Sequence, residues 1–149
     1  MSAAIFNARE PPGRRARGSP ARPVTEGGCS CGRIRYRASA PPIRAVHCHC
    51  SLCRRSSGAA YLTWIMFPAD AFAFTQGTPA TYRATAKAER AFCPACGTPL
   101  TFRHVDSADK VDVTVGSLDD PNAGTPGDHI WVSAQLRWLH CDDGLPRHP

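Results

Sequence analysis

The sequence predicts a mainly β protein, with one domain over residues 24–149 that follows a tail over residues 1–23. Several short segments alternate polar and apolar residues with a period of two, which is typical of half-buried strands. The chain also contains 12 glycines and 14 prolines, which interrupt long helices and favour turns. No segment approaches the roughly 20 apolar residues that a membrane span needs. These observations exclude a membrane protein, a coiled coil and a helical bundle.

The individual elements follow from local patterns. Strands are predicted at 33–38, 61–67, 80–83, 100–104, 110–115 and 130–136. Helical turns are predicted at 51–57 and at 68–72. Because short spacers without helical patterns separate most of the strands, we expect antiparallel hairpins rather than parallel crossovers.

The basic charge belongs mostly to the tail. Residues 1–23 carry five arginines and one glutamate, which account for +4 of the formal charge of +6. An arginine- and proline-rich segment with few apolar residues cannot bury enough surface to fold, so we expect disorder there. The domain itself carries little net charge, so we expect no nucleic-acid partner. The N-terminus shows no secretory signal pattern, so we expect a cytoplasmic location.

Eight cysteines are the most specific feature of the sequence, and seven of them fall into three short groups. The groups are Cys29-Ser30-Cys31, Cys48-His49-Cys50-Ser51-Leu52-Cys53 and Cys93-Pro94-Ala95-Cys96, and Cys141 stands apart. Cysteines this close on a turn direct their sulfurs at one ion, and a glycine after each outer group lets the turn close. We therefore predict metal binding. The alternative is a disulfide framework, which is typical of small secreted proteins.

The outer two groups together supply the four ligands that a structural zinc ion needs. These ligands are Cys29, Cys31, Cys93 and Cys96. Cys48, Cys50 and Cys53 then remain as a set of three, and three protein ligands with an exchangeable fourth position are the arrangement of a catalytic zinc.

A closed second site is the alternative to this open one. A histidine would then complete a Cys₃His set, and the candidates are His47, His49 and His104. His49 lies between two ligands in sequence, so we expect its side chain to point away from the ion they share.

With these groups considered, the chain resembles the glutathione-dependent formaldehyde-activating enzyme family, which includes centromere protein V. The similarity extends over residues 27–144. It rests on the stretches 27–36, 48–58 and 90–98, on His129-Ile130-Trp131 and on Trp138. The resemblance implies coiled antiparallel sheets pinned by zinc, a structural ion on the four-cysteine set and a second ion on the three-cysteine set. It also implies carbon–sulfur lyase activity that forms S-hydroxymethylglutathione from formaldehyde and glutathione.

The three-cysteine set suggests a mechanism for such a reaction. Sulfur is a preferred ligand of zinc held by thiolates, and a coordinated thiol loses its proton. A thiol such as glutathione would therefore take the fourth position and add to an aldehyde, or leave from the adduct in reverse. Arg54 and Arg55 would offset the negative charge or hold substrate carboxylates, unless they are simply a solvated pair. We expect Trp64, Trp131 and Trp138 to be packing aromatics, and Cys141 to be an inert thiol.

Two other functions remain open from the sequence. In one, both zinc ions are structural and the protein is a non-catalytic binding module. In the other, the Cys48/Cys50/Cys53 set is a thiol redox sensor, which requires these cysteines to be largely metal-free. The sequence does not define the thiol, the aldehyde or the oligomeric state.

Overall fold

The computed structural model describes residues 24–149, and the fold over these residues is mainly β, as the sequence predicts. The tail predicted over residues 1–23 lies outside the described residues. The strands are β1 (Thr25–Gly28), β2 (Arg35–Ala38), β3 (Arg44–Cys48), β4 (Leu62–Pro68), β5 (Phe72–Gln76), β6 (Ala80–Thr85), β7 (Ala88–Phe92), β8 (Pro99–His104), β9 (Lys110–Thr114) and β10 (Asp128–Ile130). Helix α1 (Ser51–Ser57) follows β3, and none of the helices within residues 24–149 is long and apolar enough to cross a membrane.

The strands form two sheets. The smaller has the order β1-β2-β5, and the larger has the order β10-β3-β4-β9-β8-β7-β6. The prediction of antiparallel pairing is correct for every pair but one, because β10 runs parallel to β3. The expectation was wrong there because a parallel pair needs only a long connection, and the six strands between β3 and β10 supply it without a crossover helix.

Most of the predicted elements are present. The segments 33–38, 61–67, 80–83, 100–104 and 110–115 correspond to β2, β4, β6, β8 and β9, and 51–57 is α1. The turn predicted at 68–72 is a 3₁₀ turn over Ala69–Ala71. The strand predicted at 130–136 is wrong, because β10 ends at Ile130 and Trp131 takes a left-handed backbone conformation with φ of 58°. The sequence interpretation missed β1, β3, β5 and β7.

The large sheet has two differently used faces, because successive side chains of a strand point to opposite sides. On β4, Ile65 and Phe67 are buried in the core between the sheets. Trp64 and Met66 belong instead to a second apolar cluster on the other face. β9 alternates in the same way, so its buried valines face the core while Asp112 lies opposite Met66. One face of the sheet therefore holds the fold together and the other carries a polar group.

A buried tyrosine connects the two sheets. The hydroxyl of Tyr36, on β2, lies 2.7 Å from Oγ of Ser117, which follows β9. Ser117 in turn donates to the backbone oxygen of Thr114 at 2.8 Å. A Cβ at Gly27 would lie 2.3 Å from the tyrosine hydroxyl, so only glycine allows β1 to pass this contact.

We expect Tyr36→Phe to lower the free energy of unfolding by about 1 kcal/mol, because it leaves buried polar groups without a partner. Urea unfolding measures this change. Tyr82→Phe is the matched control, because Tyr82 is 45% exposed. An equal, negligible effect of both substitutions would contradict this account of the sheet contact.

Candidate functional site

The four-cysteine set is assembled by two tight turns from distant parts of the chain. Sγ of Cys29 lies 3.5 Å from Sγ of Cys31, which lies 3.8 Å from Sγ of Cys93. The sulfur of Cys96 completes a set whose four ligand atoms all lie within 4.8 Å of one another. A tetrahedral ion with Zn–S bonds of about 2.3 Å requires sulfur–sulfur separations of about 3.8 Å. These four residues therefore could hold zinc.

Each turn closes through a glycine. The amide of Gly32 donates to the backbone oxygen of Cys29 at 3.0 Å, and that of Gly97 donates to Cys93 at 2.8 Å. Both glycines have φ above 70°, a region that other residues rarely adopt. The amide of Ile34 also donates to Sγ of Cys29 at 3.2 Å, which favours the thiolate form of that ligand.

The three-cysteine set lies where β3 ends and α1 begins. Cys48 is the last residue of β3, Cys50 caps the helix, and Cys53 lies in its first turn. Their sulfurs all lie within 4.8 Å of one another. Three thiols this close compete for protons, so hydrogen bonds from its neighbours lower the pKa of Cys50 while the same crowding raises the pKa of Cys48. A cation among the sulfurs would remove this competition, so the set could hold a metal ion.

Within residues 24–149, no histidine or carboxylate joins this set. Nε2 of His49 lies 2.8 Å from Nδ1 of His129, so its ring is engaged away from the sulfurs, as the sequence predicts. Nδ1 of His47 lies 2.8 Å from Oγ1 of Thr63. Nδ1 of His104 accepts a hydrogen bond from the backbone amide of Asp106. The three-cysteine set is therefore one ligand short of a closed tetrahedron in the described part of the chain.

Two buried side chains donate hydrogen bonds to Cys53. Nε1 of Trp64 and Nη2 of Arg90 each lie 3.4 Å from its Sγ. The guanidinium of Arg90 is only 6% exposed and lies over the rings of Trp64 and Phe102, at 5.4 and 4.9 Å from their centroids. This arrangement places a buried positive charge in hydrogen-bond contact with one sulfur of the three-cysteine set.

A cavity of about 370 Å³ lies beside the three cysteines, on the face of the large sheet away from the core. All three cysteines line it, and so do Arg90 and Asp112. Its volume and its mainly apolar walls are typical of a small-molecule site. Ser51 and Leu52, the first residues of α1, border it from the exposed side.

Asp112 is the carboxyl group of this cavity. Its Oδ1 is buried without a hydrogen-bond partner among the described residues. Burial, and next the charge of Cys53, raise the pKa of Asp112 to about 6. A partly buried carboxyl group beside a thiol-lined cavity can take up and release a proton near neutral pH.

Sequence reasoning missed Arg90 and Asp112, and it assigned the nearby positive charge to other residues. Arg54 directs its Nε to the backbone oxygen of His49, Arg55 is exposed, and neither lines the cavity. Trp64 was expected to be a packing aromatic, yet its indole also binds a candidate ligand. A charged residue inside a strand was the available sign of a functional role, and both Arg90 in β7 and Asp112 in β9 are such residues.

The fold and the site together define a class of mainly β domain with two cysteine sets that could each hold a metal ion, and sequence comparison identifies the family. The family profile described as glutathione-dependent formaldehyde-activating enzyme matches residues 24–134. The chain therefore belongs to this family, and the resemblance seen in its motifs is confirmed.

Individual relatives are more distant. The chain is 32% identical over 91 residues to a Schizosaccharomyces pombe protein named "Uncharacterized lyase", covering 56% of this chain and 61% of the relative. It is 34% identical over 86 residues to the Halomonas elongata "Putative glutathione-dependent formaldehyde-activating enzyme", covering 52% and 54%. The chain thus matches less than two thirds of either relative. A crystal structure of a Rhodobacter sphaeroides protein, 20% identical, superposes with a TM-score of 0.53 over 83% of this chain and 99% of the other, which supports the fold alone.

We expect Cys96→Ala to remove one metal equivalent and to lower the free energy of unfolding by roughly 4 kcal/mol, the size of a cross-link that closes a loop of this length. Metal analysis and urea unfolding measure both changes. Cys96 is exposed, so its truncation leaves no cavity in the core. Cys141→Ala is the control and should change neither quantity. If Cys96→Ala kept the metal content and stability of the parent chain, the four-cysteine site would be ruled out.

Proposed function

We propose that the protein is a zinc-dependent carbon–sulfur lyase that acts on glutathione-type thiol adducts, making or breaking the bond between a thiol and formaldehyde or a similar aldehyde. One zinc ion would be structural, on Cys29, Cys31, Cys93 and Cys96. The second would be catalytic, on Cys48, Cys50 and Cys53. We further propose a cytoplasmic location, where glutathione and cysteine thiols stay reduced.

The observation that carries this proposal is the set of three cysteine sulfurs, without a fourth ligand from the described residues, beside a cavity. Family membership supports the same reaction class. When bound, zinc would supply a soft Lewis acid that stabilises negative charge on the substrate's sulfur.

Arg90 and Trp64 hold the sulfur of Cys53 in place as a metal ligand. Both donate to its sulfur at 3.4 Å, and both are buried. Their N–H groups also draw charge away from the ligand set, which offsets the negative charge that a substrate thiolate adds. Arg90 thus takes the role that the sequence suggested for Arg54 and Arg55. Arg55, exposed on the helix that borders the cavity, remains a candidate for the substrate's carboxylates.

Asp112 acts as the general base that accepts and returns the proton of the reaction. In the direction of adduct formation, its carboxylate accepts the proton of the substrate thiol. The sulfur then forms a bond to the aldehyde carbon, and the proton passes to the former carbonyl oxygen, which becomes a hydroxyl group. The reverse sequence cleaves the carbon–sulfur bond and regenerates the thiol and the aldehyde. Either direction needs a carboxyl group that changes its protonation state near neutral pH.

We expect Cys53→Ala to lose one metal equivalent and all lyase activity, while the circular dichroism of the domain stays unchanged. Cys141→Ala is the matched control and should retain both. Activity is measured by the disappearance of S-hydroxymethylglutathione, or by its formation from glutathione and formaldehyde. Normal turnover by Cys53→Ala would overturn the proposed mechanism.

The open fourth position has its own test. We expect glutathione added to the cobalt-substituted full chain to change the sulfur-to-cobalt absorption, because a new thiolate joins the three-cysteine set. Cobalt-substituted Cys53→Ala should show no such change. If neither glutathione nor other small thiols altered the spectrum of the parent chain, a non-catalytic zinc-stabilised binding module would be favoured instead.

We expect Asp112→Asn to lower kcat by about 100-fold, because the general base is lost. In the parent chain, kcat should fall as the pH drops below about 6. This decrease at acidic pH should be absent from the pH profile of the variant. The pKa of Asp112 is raised in the folded state, so its ionised form costs stability at pH 7. The variant should therefore unfold at a higher temperature at pH 7, with an advantage that disappears as the pH falls from about 6 toward 4. Full activity with an unchanged pH profile would exclude Asp112 from the reaction.

A further inference from the structure

A second group of candidate ligands lies on the other side of β3 from the three-cysteine set. Val46 and Cys48 line the cavity, so His47, between them on the strand, points to the opposite face. His129 lies directly beside it, because the parallel pairing of β10 with β3 puts these two residues in register. Asp143, from the C-terminal segment, approaches the same point. One ligand atom from each of the three residues lies within 4.8 Å of the others.

The hydrogen bonds of the two imidazole rings suit metal binding. Nδ1 of His47 lies 2.8 Å from Oγ1 of Thr63, and Nδ1 of His129 lies 2.8 Å from Nε2 of His49. Nδ1 of each ring therefore has a partner, and Nε2 of His129 faces the carboxylate of Asp143. Histidines that bind metals typically donate their other ring N–H to such a neighbour, which fixes the tautomer and the ring orientation.

A structural hydrogen bond alone explains only part of the arrangement. Nε2 of His129 lies 2.9 Å from Oδ2 of Asp143, an ordinary histidine–carboxylate contact. This contact does not explain why a second basic group, His47, lies beside it. The ring centroid of His47 is 4.9 Å from that of His129. The amide of Leu145 helps to keep Asp143 ionised by lowering its pKa.

We propose that His47, His129 and Asp143 form a third metal-binding site, of the two-histidine, one-carboxylate kind, for a first-row divalent cation such as Zn²⁺. Imidazole and carboxylate ligands suit such ions, and three protein ligands leave a position for water or an exogenous ligand. The side chain of His129 is fully buried, whereas that of Asp143 is 38% exposed, so an ion would enter past the carboxylate. The site does not depend on the proposed lyase activity.

Metal stoichiometry tests this site in the full chain. The parent protein, Asp143→Asn and Asp142→Asn are reconstituted with Zn²⁺, and their metal content and affinity are measured by elemental analysis and by competition with a chromophoric chelator. Asp142→Asn is the matched control, because it removes the same charge from the neighbouring exposed position. We expect Asp143→Asn to bind one equivalent less than the other two proteins, or to bind it at least about tenfold more weakly.

Cobalt substitution separates this site from the cysteine sites. The equivalent that Asp143→Asn loses should give weak visible bands without sulfur-to-cobalt absorption, and His47→Gln should lose the same equivalent. The sulfur-to-cobalt bands of both variants should match those of the parent chain, which also shows that the variants are folded. Equal metal content and affinity in Asp143→Asn, Asp142→Asn and the parent protein would overturn the proposal. If Asp142→Asn lost as much bound metal as Asp143→Asn, the proposal would be overturned as well, because the loss would then follow from the change in net charge.

Discussion

The close approach of cysteine sulfurs from distant segments is the constraint on which the rest of the structure depends. Sulfurs of Cys31 and Cys93, which are 62 residues apart in sequence, lie 3.8 Å apart in space. Thiolates at this distance repel one another unless a cation lies among them. A bound ion therefore would hold the turn before β2 against the turn between β7 and β8, and thereby help to hold the small sheet on the large one.

The alternation of side chains along the strands explains how one small domain supports both a core and a site. Alternate residues of three strands, β3, β4 and β9, lie on opposite faces of the large sheet. One set lines the cavity and the other set faces away from it. Cys48 on β3, Trp64 on β4 and Asp112 on β9 thus belong to the cavity face, although their sequence neighbours do not. A shift of one residue in the pairing of any of these strands would move its polar group to the wrong side.

Arg90 links the electrostatics of this cavity. Its guanidinium is buried over two aromatic rings and donates to Cys53, and it also opposes the upward shift in the pKa of Asp112. A single buried cation thus faces both a cysteine sulfur and a carboxyl group. Removing it would leave the carboxyl group of Asp112 without this nearby positive charge in a poorly solvated space.

The sequence by itself determined the cysteine groups, the strands with strict alternation and the family, because these signals are local and residues close in the chain carry them. It also indicated that His49 turns away from the sulfurs that flank it. Only the tertiary structure decided which charged residues lie near the cysteines, because strand pairings that span dozens of residues bring Arg90 and Asp112 to the cavity beside Cys53. The parallel pairing of β10 with β3, which sets His129 beside His47, was likewise invisible in the sequence, since no local pattern specifies which strand a short segment will join.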